Sequence, residues 1–197
     1  MLTELEAVNR MLSAIPLGSV SSLSSPLDPV ASQAVVVLAE SRRWFLQMGW
    51  EFNREIDVTL SPNASNEIEV PHNYMAVRFT DKPRDLRQVI QRGNRMYDRT
   101  NKTYTFTEDI HVDVLVDLPF TEIPAVAQEA IAAEAALRLK RLMNPEDIAV
   151  RAMASHAAQA FTNAKFEEQR SGKFYASDDP QTYGIITRPT YRRGPYL

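Results

Sequence analysis

Cysteine is absent from this 197-residue chain. That absence excludes thiolate catalysis, zinc–cysteine sites, iron–sulfur clusters and any disulfide framework. Glycine is scarce, and Gly18, Gly49, Gly93, Gly172, Gly184 and Gly194 lie too far apart for two to share a loop. Phosphate-cradling loops need clustered glycines so that the backbone can approach the phosphate, so Walker-type and dinucleotide-binding motifs are excluded. The nucleophile elbow fails in the same way. Long apolar runs are also missing. The longest, Ala34 to Ala39, falls far short of the ~20 residues that a membrane span needs. The opening Met1-Leu2-Thr3-Glu4-Leu5-Glu6 is acidic where a signal peptide would be basic, so a soluble product of a cytoplasm, with no membrane partner, is expected. Basic residues number 22 against 25 acidic ones, a net charge of −3. That balance argues against a surface built wholly as a nucleic-acid footprint. What is present is ordinary for a globular chain, with 44% apolar and 24% charged residues. The length suits one domain, or two small lobes sharing a core, and is enough to bury that core without staples.

Thr3 followed by Glu6 is a capping box, in which each side chain satisfies a backbone donor that the first turn leaves open. Leu5, Val8, Leu12 and Ile15 then recur at helical spacing until Pro16 and Gly18. A serine-rich connector, Val20 to Ser25, follows. Asp28-Pro29 is a second helix start, an N-cap before proline at the first helical position. Val30, Ala34, Val37, Leu38, Ser41, Phe45 and Met48 form its stripe, and Gly49 stands where a left-handed cap belongs. From Trp50 the period changes. Glu51 to Leu60 and Glu67 to Val70 read as strands split by the turn Ser61-Pro62-Asn63, and Tyr74 to Thr80 as another. Asp81-Lys82-Pro83-Arg84 is a loop, and Leu86 to Gln91 is a strand or one helical turn. Arg95 to Arg99 and Thr103 to Thr107 flank Thr100-Asn101-Lys102 as a hairpin would. Ile110, Val112, Val114 and Val116 alternate with more polar neighbours, as a half-buried antiparallel strand should.

The helical period returns after Leu118-Pro119, with Thr121 as cap and a run to about Met143. Asn144-Pro145-Glu146-Asp147 repeats the cap, proline and acid pattern for a last helix reaching about Arg170. Alanine is frequent in both helices, which permits close helix packing. From Ser171 the pattern dissolves into an extended tail. The expected fold is α+β. Residues 1–50 and 120–171 form a helical lobe, 51–119 an inserted antiparallel β-rich lobe, and 172–197 an extended C-terminal arm.

Candidate catalytic groups do not assemble. His72, His111 and His156 fall in three different segments. Asp109, His111 and Asp113 share one strand face and could hold a hard metal ion; a solvated face of a half-buried strand is the favoured reading. Glycosidase chemistry needs two carboxyls across a cleft, about 5 to 9 Å apart. Adjacent pairs such as Glu167-Glu168 and Asp178-Asp179 do not offer that and read as solvated charge. No catalytic, cofactor or metal residue is assigned. Two interface candidates remain. One is the basic stretch around Lys82 to Lys102, with Arg84, Arg87, Arg92, Arg95 and Arg99. It suits an acidic protein neighbour ahead of nucleic acid, or else a lysine- and arginine-guarded sheet edge. The other is the tail, with Phe174, Tyr175, Tyr183, Arg188, Tyr191, Arg192, Arg193 and Tyr196. Tyrosine and arginine are enriched at protein interfaces, so an arm that orders against another subunit is expected rather than a frayed terminus.

Several stretches in series resemble one known family. Leu5-Glu6-Ala7-Val8-Asn9-Arg10-Met11-Leu12 with Val20-Ser21-Ser22-Leu23, then Gly49-Trp50-Glu51-Phe52-Asn53 with Thr59-Leu60-Ser61-Pro62, then Tyr97-Asp98-Arg99-Thr100, resemble the tail tubular protein A family of short-tailed bacteriophages. The resemblance runs from about Leu2 to Leu118 and weakens afterwards. It implies a virion structural protein rather than an enzyme. Such proteins form a dodecameric ring between the portal and the nozzle of tail tubular protein B, acting as adaptor and gatekeeper at the head–tail interface. Genomic DNA would pass through the lumen without specific binding, since a mildly acidic wall repels phosphates. Trp50, Phe52 and Asn53 match the family's most recognisable motif and are expected to pack the two lobes together. Competing expectations are a tail-associated polysaccharide-cleaving enzyme and a host-surface glycan-binding module.

Overall fold

The computed structural model describes residues 1–15, 18–24, 27–80 and 88–176. Helix α1, Glu4–Ser13, begins with the expected capping box, Thr3 accepting from the Glu6 N–H while the Glu6 carboxylate accepts from the Thr3 N–H. Helix α2, Pro29–Leu46, starts at Asp28, whose carboxylate accepts from the Val30 N–H at 2.8 Å. The α2 stripe is buried through Ala34, Val37, Leu38, Ser41 and Phe45, but Met48 lies beyond the helix and is exposed. Gly49 takes φ +75°, the left-handed conformation that glycine adopts without a Cβ clash.

Among the described residues five strands follow: β1 Arg54–Leu60, β2 Tyr74–Phe79, β3 Val89–Arg92, β4 Arg95–Asp98 and β5 Ile110–Val116. β1, β5 and β2 form an antiparallel sheet with β5 in the centre. On β5 every second residue is buried, in keeping with the alternation of its sequence. Three details depart from the sequence expectation. Glu51–Asn53 is a 3-10 turn rather than strand. Glu67 to Val70 makes isolated bridges, to Thr105 and Arg95, rather than a strand. The hairpin pairs β3 with β4 around Gly93-Asn94, and only one bridge, Asp98 to Thr103, joins the segments around Thr100-Asn101-Lys102. Gly93, at φ +62°, supplies the turn conformation. The expected loop at Asp81 to Arg84 lies outside the described residues.

Helix α3, Ala125–Met143, is preceded by a 3-10 turn over Phe120–Glu122, so Thr121 lies within that turn and Pro124 takes the cap position without a side-chain bond. Helix α4, Ala149–Ala176, continues past the break expected at Ser171. It is Asp147 rather than Asn144 that serves its start, accepting from the Ala149 N–H at 2.8 Å. Asn144 instead closes α3.

Among the described residues two apolar clusters result. One joins α1, α2, α3 and α4 around Met11, Leu12, Phe45, Leu46, Ile131 and Leu139. The other fills the β insertion around Ile68, Met96, Ile110, Val112 and Val114. Leu118 packs against both. Buried Gln128 ties the helical cluster, accepting from the Leu2 N–H at 2.8 Å and donating to the Phe120 carbonyl at 2.7 Å. Both ends of its amide are therefore satisfied, as burial demands.

Candidate functional site

The stretches that carried the resemblance are junctions. Asn9 on α1 donates to the Val20 carbonyl at 3.0 Å and accepts from the Val20 N–H at 2.8 Å. One side chain thereby pins the serine-rich connector back onto the helix, acting as a strand partner would. Where α2 ends, Trp50 stacks on Phe45 with ring centroids 4.3 Å apart and planes 9° from parallel. Its indole Nε1–H donates to the Phe45 carbonyl at 2.6 Å. Phe161 of α4 stands edge-on to both rings, and Phe52 lies nearly parallel to Trp50 with ring centroids 6.2 Å apart. Asn53 is buried and donates to the carbonyls of Leu46 at 3.0 Å and Val116 at 3.2 Å. The last turn of α2 and the end of β5 thus share one donor group.

The Tyr97-Asp98-Arg99-Thr100 block is built likewise. Buried Asp98 accepts from the N–H groups of Thr100 and Asn101 and from the Asn101 side chain, which holds the turn in which Lys102 takes φ +54°. Thr100 Oγ1 accepts from the Gln88 N–H at 3.0 Å, and the Arg99 N–H donates to the Gln88 carbonyl at 2.8 Å. These bonds clamp the start of β3 to the turn beyond β4.

Among the arginines, Arg92 lies over the Tyr97 ring at 3.7 Å and Arg95 over the Tyr104 ring at 4.6 Å. Arg95 also meets Glu67 at 2.6 Å. That hydrogen bond and the Glu67 charge raise its pKa above the ordinary arginine value. Part of the basic stretch is therefore engaged within the β insertion, by Glu67 and two tyrosines that sequence spacing does not pair with it. Arg99 is exposed, and Arg84 and Arg87 lie outside the described residues. Phe174 and Tyr175 fall in the last turn of α4, while Tyr183, Arg188, Tyr191, Arg192, Arg193 and Tyr196 also lie outside.

The candidate chemistry resolves into local pairs. His111 Nδ1 lies 2.8 Å from Asp57 Oδ1, and Asp113 accepts from the Asp57 N–H at 3.2 Å. Asp57 sits at a bulge in β1 with φ +56°, so it is this irregularity that turns its carboxylate toward the histidine. Asp109 is exposed and His156 is exposed on α4. Glu167 meets Arg170 at 3.2 Å. Glu168 is more than solvated charge, because it is half-buried and accepts from the Glu51 N–H at 2.8 Å. Asp178 and Asp179 are outside the described residues. Among the described residues, no three His, Asp or Glu side chains gather to hold a metal ion, and no helix is long and apolar enough to cross a membrane.

One surface feature is not legible from spacing. At the end of α3 and in its connection to α4, Leu142, Met143 and Ile148 are exposed, Ile148 by 94%. Lys140, in the same last turn of α3, is buried, donating to the Ala14 carbonyl at 2.8 Å and meeting Asp147 at 2.7 Å. The Lys140 hydrogen bond lowers the Asp147 pKa below the usual carboxylate range, assisted by the Ala149 N–H. An ion pair spans the connection while Leu142, Met143 and Ile148 are exposed. The run of Leu142-Met143 before Asn144-Pro145 is the available signal, though helical spacing alone does not tell which face is covered.

No curated protein matches the chain. The family model described as tail tubular protein matches residues 5–184, nearly the whole length. That span takes in every junction described above, from Asn9 to Asp98. The chain therefore belongs to the tail tubular protein family, whose members are structural components of bacteriophage tails.

Proposed function

We propose that this tail protein is the ring-forming head-to-tail adaptor, seated between portal and nozzle and acting as gatekeeper of the DNA channel. The observation that carries the proposal beyond the family is the exposed apolar tip of Leu142, Met143 and Ile148, whose two ends are joined by the Lys140–Asp147 pair. Exposed apolar side chains grouped within residues 142–148 suit a surface that another subunit covers. Closing a ring requires two different faces of each subunit to meet, a heterologous interface. The tip supplies one candidate face. The arginines around Arg92 to Arg99, and the Tyr- and Arg-rich segment from Phe174 onward, supply the others.

In this scheme residues 1–50 and 120–171 act as the helical lobe, 51–119 as the β lobe and 172–197 as the arm. Trp50, Phe52 and Asn53 hold the first two in one orientation, so that a ring built from either lobe fixes the other. A dodecamer is the expected stoichiometry, with DNA passing through a lumen that the net charge of −3 leaves unattractive to phosphates.

Light scattering on the purified protein, alone and mixed with its phage's portal, tests the proposal. A ring-sized mass, or a stable complex with portal, is expected. A strict monomer indifferent to portal sinks the adaptor role and puts the polysaccharide-cleaving and glycan-binding alternatives first.

A further inference from the structure

A pocket of about 240 Å³ opens beside the Trp50 junction, with Trp50, Phe52, Pro124, Val126, Ala127 and Ala164 as its apolar lining. Its rim is acidic, formed by Glu51, Glu167 and Glu168. Glu167 is offset by Arg170, and Glu168 accepts from the Glu51 N–H, so the rim keeps a negative balance of charge. An apolar floor with an acidic rim suits a ligand that is aromatic and cationic together. The chain itself carries such a sequence. Ile186 to Leu197 contains Arg188, Arg192 and Arg193 with Tyr191 and Tyr196, and no Asp or Glu.

Reach also fits. Ala176 ends α4, eight residues beyond Glu168 on the same helix, a separation of about 12 Å at 1.5 Å per residue. Arg188 lies twelve residues past Ala176, and a chain of that length spans up to about 40 Å. The segment therefore reaches back to the pocket of its own subunit without any movement of the helices, and a covalent link of this length gives it a high effective concentration there.

We propose that the Trp50–Phe52 pocket is the receptor for this C-terminal segment in the same subunit, with Tyr191 in the apolar floor and the arginines against the acidic rim. The assignment stands independently of the adaptor role: it gives the segment beyond Ile186 a seat on its own subunit in place of the intersubunit face offered above, and leaves the Leu142–Ile148 tip and the arginines around Arg92 to Arg99 as the candidate ring faces.

The absence of cysteine makes the test clean, because two introduced cysteines are then the only thiols. In the full chain, Thr190→Cys is combined with Val126→Cys in the pocket wall, and separately with Phe166→Cys. Phe166 is exposed on α4, two residues from Ala164, and so points to the other side of that helix. Disulfide formation, with added oxidised glutathione taking up the two electrons and two protons, is followed at high dilution. The Val126 pair is expected to close roughly tenfold faster than the Phe166 pair, giving a monomeric product. The advantage should shrink in high salt and with Tyr191→Ser. Equal rates, or a faster Phe166 pair, overturn the proposal. A predominantly dimeric product overturns the intramolecular assignment and places the segment on a second copy.

Discussion

The side-chain amide of Asn53 donates to the carbonyl of Val116, 63 residues away in sequence, at 3.2 Å. The same nitrogen serves the Leu46 carbonyl, so one buried group joins the end of α2 to the end of the central strand. Its Oδ1 is buried without a partner among the described residues, which makes the donor nitrogen the part that matters. Asn53→Ala should therefore cost about 1–3 kcal/mol, the penalty of removing a buried donor shared by two carbonyls, of which that of Leu46 keeps the Gly49 N–H. Asn53→Asp should cost more, because it brings a third oxygen, and a charge, against two carbonyls. Urea denaturation reads both. Equal stability of Asn53→Asp and the parent chain would contradict the bridge.

Gly49 sits between Trp50 and the last turn of α2 with φ +75°. A Cβ there would approach both Arg54 Nη2 and Leu115 Cδ2 at 3.4 Å. These contacts are ordinary to slightly tight, so the cost of Gly49→Ala comes mainly from the left-handed backbone, about 1–2 kcal/mol. The expected sign is a lower denaturation midpoint with an unchanged slope. Gly18, where a Cβ would meet nothing within 4 Å and no left-handed φ is imposed, is the internal control. Gly18→Ala should leave the midpoint within the scatter typical of neutral surface changes, about 0.5 kcal/mol.

Asp147 predicts a pH dependence. Its pKa is lowered in the folded protein by Lys140 and by the Ala149 N–H. A group depressed on folding stabilises the fold when ionised, fully so above the unfolded carboxylate value of about 4. That contribution is lost as pH falls through the lower folded value. Thermal melts of the parent and of Asp147→Asn should differ at neutral pH, with the parent higher, and the difference should shrink as pH drops below about 4. A difference that persists unchanged into strong acid would mean that the substitution removes something other than the ion pair.

The elements that sequence alone specifies are those set by contacts within a few residues. The Thr3–Glu6 box, the Asp28-Pro29 start and the alternation on β5 each involve neighbours that the chain's covalent geometry already brings together. The end of α4 is not specified in this way, because the loss of an apolar stripe after Arg170 says only that the helix is no longer covered. The hairpin differs from expectation for a related reason. Both Gly93-Asn94 and Asn101-Lys102 carry turn chemistry, and the choice between them rests on which strands find partners.

The candidate site divides the same way. Sequence marked Asn9, Trp50, Asn53 and Asp98 as members of recurrent blocks, and composition determined the lack of thiol and glycine-loop chemistry. Tertiary structure alone decided what those residues do: Asn9 meets Val20, Asn53 meets Val116, Arg95 meets Glu67, and Glu168 meets Glu51. Buried polar groups must find partners wherever the fold brings them, and the cost of leaving one unpaired does not depend on sequence separation. Local propensity therefore set the helices and the central strand, while the joints between them were set by long-range hydrogen bonds that no period in the sequence encodes.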